Sequence, residues 1–198
     1  MGAGPRRAPP ERAAPGPPVV AKLRRSREDV AVSGEAILVQ RVREAIRGNS
    51  PAPARPAALE RVEAAAGHAL PHLMRRIYTE VADGGWGPEY GALGFDRGHT
   101  DDLGGRVPEV YETWHSRDGL RDDDIILPRS WVPFLHAGCA MHYCTDCATP
   151  EGRVVLVDPN PGAPLNQCVV WQTESFASFV RLWLDDELDH QVWPSDDD

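Results

Sequence analysis

The sequence has few cysteines and no long apolar run, and each shortage excludes a class of protein. Four cysteines in 198 residues, without a dense spacing pattern, do not make a disulfide framework. No run reaches the roughly 18 apolar residues of a transmembrane helix. The N-terminus contains arginines but lacks the apolar core of a secretory signal. These shortages predict a cytoplasmic protein that does not bind membranes.

Motifs of the common enzyme classes are also missing. The chain has no G-x-S-x-G elbow, no phosphate-binding P-loop, no H-E-x-x-H pair and no G-x-G-x-x-G after a strand. His68, His72 and His99 lie in different predicted elements and show no triad spacing. The sequence therefore fits none of these enzyme templates, and we predict no cofactor.

The charge that is present is mostly negative and unevenly placed. The net charge is −9, yet seven of the 21 basic residues and only three of the 30 acidic ones lie in the first 30 positions. Lys22 is the only lysine, and this preference for arginine, with abundant Ala and Pro, is typical of a GC-rich bacterial genome. An acidic body repels nucleic acid and favours a basic protein partner. The alternative is an ordinary acidic surface with no partner.

Pro, Gly and capping residues divide the chain into a tail and one domain. Residues 1–30 are rich in Pro, Ala and Arg and lack apolar periodicity, which predicts a disordered basic tail before a domain at 31–198. Ser33 caps the first predicted helix, which ends at Gly48. Four more helices are predicted. The second runs from Pro56 to Gly67, the third begins at Pro71, and the fourth covers the Val107 segment. The last spans Phe176–Leu184 and is capped by Thr173 or Ser175.

Strand-like runs occupy the second half of the chain. Tyr90–Phe95 is short and broken by glycine, which indicates an edge strand. Four further runs, "WVPFLHAG", "CAMHYCTDC", "GRVVLVDPN" and "CVVWQT", are separated by turn-forming residues. We predict an α+β fold with a single antiparallel sheet of about five or six strands, packed against the N-terminal helices and a C-terminal helix.

The stretch Leu135–Cys147, "LHAGCAMHYCTDC", holds three of the four cysteines and admits three interpretations. A zinc site would need a second short chelating pair beside Cys144 and Cys147, and none of matching spacing exists. A thioredoxin-like site would need a helix after Cys147, where "ATPEG" instead predicts a turn. Alternation along a strand also separates Cys139 from Cys144. The sequence therefore predicts a half-buried strand that binds no metal.

The order of motifs resembles the SUKH superfamily, the family of Smi/Knr-like proteins. In the first half the resemblance lies in "ALERVEAAAGHALPHLMRRIYTEVADGGWGPEYGALGF", with its "LP", its Asp-Gly-Gly turn and its "GP-x-YG". In the second half it lies in the strand with a central "GC", the turn after "VVLVD" and the closing "SFASFVRLWL" helix. It covers about Ile37 to Trp193. The resemblance implies a non-enzymatic protein-binding module with no metal and no catalytic residues, most often an immunity protein against a toxin that is often a nuclease.

We therefore predict an immunity protein, monomeric when free, whose partner is a basic toxin domain. Loops on a rigid scaffold are where binding residues gather, and the acidic loops with the Trp expected to be exposed provide the candidates. These are Trp86, Glu89, Asp96, Asp101 and Asp102 after the third helix, with Asp122, Asp123 and Asp124 as a second cluster. The alternatives are a regulatory scaffold that binds an endogenous partner and a zinc- or thiol-dependent enzyme.

Overall fold

Helices and strands follow one another in two blocks closed by a final helix. The computed structural model describes residues 27–46, 48, 50–116, 127–160 and 167–188. The helices are α1 (Arg27–Ala45), α2 (Pro56–Ala66), α3 (His72–Glu80), α4 (Val107–His115) and α5 (Phe176–Leu184). The strands are β1 (Trp131–Gly138), β2 (Met141–Asp146), β3 (Arg153–Val157) and β4 (Val169–Thr173).

The strands form one antiparallel sheet, so the predicted fold class is confirmed. Within the described residues the sheet has four strands in the order β1-β2-β3-β4, fewer than the five or six expected. The missing strand is the Tyr90–Phe95 segment, which forms only one bridge, from Ala92 to Leu135. Gly91 has a φ of 88°, outside the extended region, so the ladder cannot continue along this segment.

Local signals set most helix ends where the sequence predicts them. Pro56 opens α2, and Gly67 closes it with a φ of 74°. The Ser175 hydroxyl caps α5 by accepting a hydrogen bond from the Ser178 amide at 3.0 Å. The first helix is different: α1 begins at Arg27, before the Ser33 cap and inside the segment predicted as a tail. The rest of that segment, residues 1–26, lies outside the described residues.

The main core lies between the sheet and the helices. Aromatic and aliphatic side chains from α2, α3 and α5 meet those of β1, β2 and β3 on one face of the sheet. At its centre Phe179 packs edge-on against Phe134 at 5.4 Å between ring centroids. The fully buried side chains include Leu59, Met74, Ile77, Tyr78, Trp86, Phe95, Phe134, Leu135, Tyr143 and Phe176. Burial of this apolar area is the main stabilising contribution to the fold.

The opposite face of the sheet carries a smaller cluster. Its buried members are Leu127, Trp131, Cys144, Val155 and Val157, and Trp114 of α4 packs against them. Strand alternation explains the division, because Tyr143 and Cys144 point to opposite faces. The prediction that Cys144 belongs to a strand is confirmed.

A β-bulge in β1 changes which face its last residues occupy. Pro133 pairs with Cys144, but the next pair is Leu135 with Tyr143, so Phe134 is the extra residue. Phe134 and Leu135 are therefore both in the main core, and His136 falls on the opposite face, directly across from His142. β1 is an edge strand of the described sheet, where a proline is tolerated.

The Asp83 turn joins α3 to the segment that precedes α4. The buried Asp83 carboxylate accepts hydrogen bonds from four backbone amides, those of Phe95, Asp96, Arg97 and Gly98, at 2.6 to 3.0 Å. A Cβ added at Gly98 would lie 1.6 Å from the Asp83 carbonyl oxygen, so only glycine fits there. The predicted Asp-Gly-Gly turn is thus the point at which two chain segments are held together.

Candidate functional site

Trp86, predicted to be an exposed anchor, is instead buried. Its side chain is 1 % exposed and its ring contacts those of Tyr78, Phe134, Phe176 and Trp183 at centroid distances of 5.4 to 6.4 Å. The prediction was wrong because the glycine-rich turn folds back over α5 and carries the indole into the main core. The exposed aromatic of this segment is its neighbour Tyr90, which is 63 % exposed.

Asp96 already has a cationic partner within the chain. Its two carboxylate oxygens accept hydrogen bonds from Arg55 Nε and Nη2 at 2.6 and 2.7 Å. The hydrogen bond from Arg55 lowers the pKa of Asp96 below its ordinary value. A carboxylate held by a bidentate guanidinium is a poor candidate for binding a partner's cation.

Asp101 and Asp102 are neighbours with different environments. The Asp101 side chain is 6 % exposed, and its Oδ1 accepts hydrogen bonds from the Leu103 and Gly105 amides at 3.0 and 2.7 Å, which shapes the loop. The Asp102 side chain is 69 % exposed, and Leu103 beside it is 90 % exposed. Glu89 is also exposed. Asp122, Asp123 and Asp124 lie outside the described residues.

A cavity of about 690 Å³ opens between this loop, α4 and the β1–β2 hairpin, and we refer to it as the hairpin cavity. Three acidic side chains, Asp101, Asp102 and Glu109, stand at its wall together with two histidines. Its lining residues are Asp101, Asp102, Leu103, Gly104, Gly105, Glu109, Val110, Thr113, Trp114, His136, Ala140 and His142. The cavity is thus formed by two segments that are distant in the chain, residues 101–114 and the hairpin residues 136–142.

The two histidines are the buried polar groups of the hairpin cavity. The side chains of His136 and His142 are 3 % and 5 % exposed, and their ring centroids lie 5.2 Å apart. Nε2 of each ring is buried, and no described residue forms a hydrogen bond with it. His142 Nε2 lies 3.9 Å from Asp101 Oδ2, and His136 Nε2 lies 3.6 Å from Asp102 Oδ1, both longer than a hydrogen bond.

A row of four rings joins this cavity to the surface. The Tyr90 ring lies 5.1 Å from that of His136 at a tilt of 38°, His136 lies 5.2 Å from His142, and His142 meets Trp114 edge-on at 5.0 Å. Tyr90 also packs over the hairpin, since a Cβ at Gly138 would lie 2.7 Å from its ring. The exposed ring and the buried imidazoles therefore form one continuous contact.

The hairpin turn positions these rings. Cys139 and Ala140 have φ values of 49° and 63°, as a two-residue turn between antiparallel strands requires, although neither is glycine. The Asn160 side-chain amide donates a hydrogen bond to the Cys139 carbonyl at 2.6 Å and holds the turn from outside. Sequence reasoning did not identify His136 as a site residue. A two-residue turn at "GCAM" could have been recognised from the sequence, but it alone pairs Ala137 with His142, and the pair His136–His142 results from a register shift between His136 and Gly138.

The thiols of the sulfur-rich stretch are poorly suited to chemistry. None of its three cysteines is in a disulfide with another described residue, and Cys139 is exposed whereas Cys144 and Cys147 are buried. Burial raises the pKa of Cys147 to about 12 and that of Cys144 well above its ordinary value, so both remain protonated at neutral pH. Among the described residues, no three His, Cys, Asp or Glu side chains are placed to hold a metal ion.

The fold and the site together describe an α+β module with one antiparallel sheet and an acidic, partly polar cavity beside a hairpin. Residues 53–182 match the model of the SMI1 / KNR4 family (SUKH-1), and the chain belongs to this family. The resemblance seen in the sequence is confirmed. A comparison with curated proteins gives no match. No helix among the described residues is both long and apolar enough to cross a membrane.

Proposed function

We propose that this chain is an immunity protein that binds and neutralises a toxin domain with a basic surface. Membership of the SUKH-1 family supports a protein-binding module of this kind. The net charge of −9 favours a basic partner, because complementary potentials accelerate encounter and exclude partners of like charge. Carboxylates of this surface would occupy the positions at which a nuclease holds phosphates.

The mouth of the hairpin cavity is the surface that we propose for this contact. Asp102 and Leu103 line the cavity on one side, Glu109 of α4 lines it as well, and the exposed Tyr90 ring reaches it through its contact with His136. Tyr90 and Asp102 meet at His136, which contacts the Tyr90 ring and lies 3.6 Å from Asp102. Exposed carboxylates around an exposed aromatic and an exposed leucine are the composition of an interface with a few energetically dominant residues. This juxtaposition is the observation that carries the proposal.

The first experiment is co-purification with the product of a neighbouring gene that ends in a toxin domain. Association of the purified pair is then followed by stopped flow at low and high salt. Asp102→Arg should slow association several-fold, on the order of tenfold at low salt, and reduce its salt dependence, because a rim charge acts on the encounter rate. Asp101 is excluded from this reversal because its carboxylate shapes the loop.

Glu174→Arg is the matched control. Glu174 follows β4, the strand at the other edge of the described sheet, and its side chain is exposed. The Glu174→Arg variant has the same change in net charge as Asp102→Arg. It should leave the association rate within about twofold of the wild-type rate, since screening weakens distant charges. Equal slowing by both variants would show that only total charge matters and that the interface lies elsewhere. A chain that binds no neighbouring toxin would support the regulatory scaffold.

A further inference from the structure

Two imidazole nitrogens of the hairpin cavity are buried, and the described residues provide no hydrogen-bond partner for either. Buried polar atoms in native proteins are almost always hydrogen-bonded, and each exception marks strain, a ligand or a functional group. Nε2 of His136 and Nε2 of His142 are both exceptions, and both side chains line the same cavity. Two such atoms on paired residues of neighbouring strands form one feature.

The protonation of His142 follows from its backbone contact. Its Nδ1 lies 3.0 Å from the Ala140 carbonyl oxygen, which can only accept, so Nδ1 carries the hydrogen. Burial lowers the pKa of His142 to about 4, so the ring is neutral at pH 7. Nε2 therefore presents a lone pair to the cavity.

This lone pair faces another acceptor. Asp101 Oδ2 lies 3.9 Å from His142 Nε2, and the Asp101 carboxylate, bonded through Oδ1 to loop amides, cannot turn away. Asp102 Oδ1 stands at a similar distance, 3.6 Å, from His136 Nε2. The His142 lone pair and the Asp101 carboxylate repel at this distance unless a donor lies between them, and a positively charged donor satisfies both.

The residues that line the cavity indicate which kind of hydrogen-bond donor fits it. Asp101, Asp102 and Glu109 disfavour an anion. A metal ion would need at least three side chains in place, and no such group exists among the described residues. Leu103, Val110 and Trp114 supply apolar surface beside the acceptors. A flat cation with several N–H groups fits such a wall, because a guanidinium has five donors in a fixed plane and packs on aromatic rings.

We propose that the hairpin cavity receives an arginine side chain of the partner protein. Its guanidinium donates to Nε2 of His142 and to the carboxylates of Asp101 and Asp102, and it lies beside the His136 ring. Its methylene groups lie against Leu103 and Trp114. This inference rests on the proposed function for the identity of the partner, but the chemistry of the cavity is testable without any partner.

The first test uses a small probe on the full chain. The protein, labelled with ¹³C in histidine, is titrated with N-acetyl-arginine-N-methylamide while the Hε1–Cε1 resonances are followed. Saturable shifts are expected for His136 and His142, with a Kd on the order of millimolar for a single side chain. The exposed His68 should not shift. Equal shifts at all histidines, or no shift, would overturn the inference.

Competing ligands and a variant complete the test. The corresponding lysine amide should bind at least about fivefold more weakly, because an ammonium offers fewer donors in one plane. Tighter binding of lysine, or of Zn²⁺ at a few equivalents, would overturn the choice of guanidinium. The arginine probe should also shift the amide resonances of Gly104 and Gly105, which line the cavity. The double variant His136→Leu/His142→Leu should abolish this effect, whereas His68→Leu should preserve it. Retention of the effect in the double variant would also overturn the inference.

The result is separable from that of the proposed function. A probe that binds while no neighbouring toxin does so would support the arginine cavity and contradict the immunity role. A toxin that binds wild type and the double variant with the same Kd would support the immunity role and overturn the cavity as its arginine site. A loss of at least about thirtyfold in toxin affinity for the double variant is the expected result, since buried charge-assisted contacts dominate interfaces.

Discussion

The Asp83 turn and the hairpin cavity both bury polar side chains, but they differ in how far these side chains are hydrogen-bonded. Asp83 accepts four backbone hydrogen bonds, so its carboxylate is satisfied by the chain itself. His136 and His142 are equally buried, yet Nε2 of each makes no hydrogen bond. Burying an unpaired polar group lowers stability, whereas a paired one is close to neutral or better. The first region therefore contributes to stability, whereas the second leaves its polar groups unsatisfied by the described residues.

The largest effect is expected from removal of the satisfied carboxylate. Asp83→Ala should lower the free energy of unfolding by about 3–4 kcal/mol, because several buried or half-buried amides lose their acceptor at once. Thermal unfolding should show a decrease in Tm of roughly 6–16 °C. Glu60→Ala, which removes an exposed carboxylate from α2, is the control and should stay within about 0.5 kcal/mol. Similar losses in both variants would contradict the structural role of the turn.

A pH effect of nearly the same size is expected from His142. Burial, with a smaller contribution from His136, lowers its pKa from 6.5 to about 4, although Asp101 and Asp102 oppose the shift. Between these values the unfolded chain holds more protons than the folded one, so stability falls as pH falls from about 6.5 towards 4. The loss attributable to this ring is at most about 3 kcal/mol.

Urea unfolding of wild type and His142→Leu at about pH 7.5 and about pH 4.5 measures this contribution. The wild type should lose more stability than the variant between the two conditions, and His68→Leu should behave as wild type. If wild type and His142→Leu lose stability equally, His142 is not held neutral by the fold.

At neutral pH the same cavity should tolerate the removal of its polar groups. His136→Leu/His142→Leu should change the free energy of unfolding by less than about 1 kcal/mol at about pH 7.5, since an apolar group replaces an unpaired polar one. Denaturant unfolding checks this value. A loss of about 3 kcal/mol or more would mean that the imidazoles are structural, like Asp83.

The smallest effect is expected from the surface ion pair. Asp96→Asn breaks the exposed interaction with Arg55 and keeps the Asp96 amide that bonds to Asp83. Its effect on the free energy of unfolding should be the smallest of these variants, and smaller still at high salt, because exposed pairs are screened and entropically costly. A larger cost, unaffected by salt, would place Asp96 with Asp83 as part of the turn.

Much of the fold could be predicted because its signals are local. Pro56, Gly67 and Ser175 mark the ends of α2 and the start of α5, and the apolar spacing of α5 predicts its buried face from Phe176 to Val180. Capping, proline geometry and periodicity depend on residues within one or two turns of each other. The α1 start shows the limit of this reasoning, since a capping residue at Ser33 did not prevent the helix from beginning at Arg27.

The binding surface was only partly predictable, because it depends on which segments meet. Asp101 and Asp102 were identified from their loop, but their different exposure results from contacts with Gly105 and the hairpin. The prediction for Trp86 was wrong because a tryptophan beside three glycines carries no local sign of the core that receives it. Composition showed an acidic chain, and only packing shows where carboxylates are exposed.

The amino-acid order alone established the α+β class, the family and the ends of most helices, since these follow from short-range backbone preferences and from motifs in series. The tertiary structure decided the site. One extra residue in β1, Phe134, moves His136 from the core face to the cavity face, where it meets His142. Strand alternation has a period of two, so a one-residue shift reverses the direction of the side chains that follow it, here as far as the second register shift between His136 and Gly138. The position of that shift depends on pairing with β2 and on burial of Phe134 and Leu135, which are interactions between residues distant in the chain.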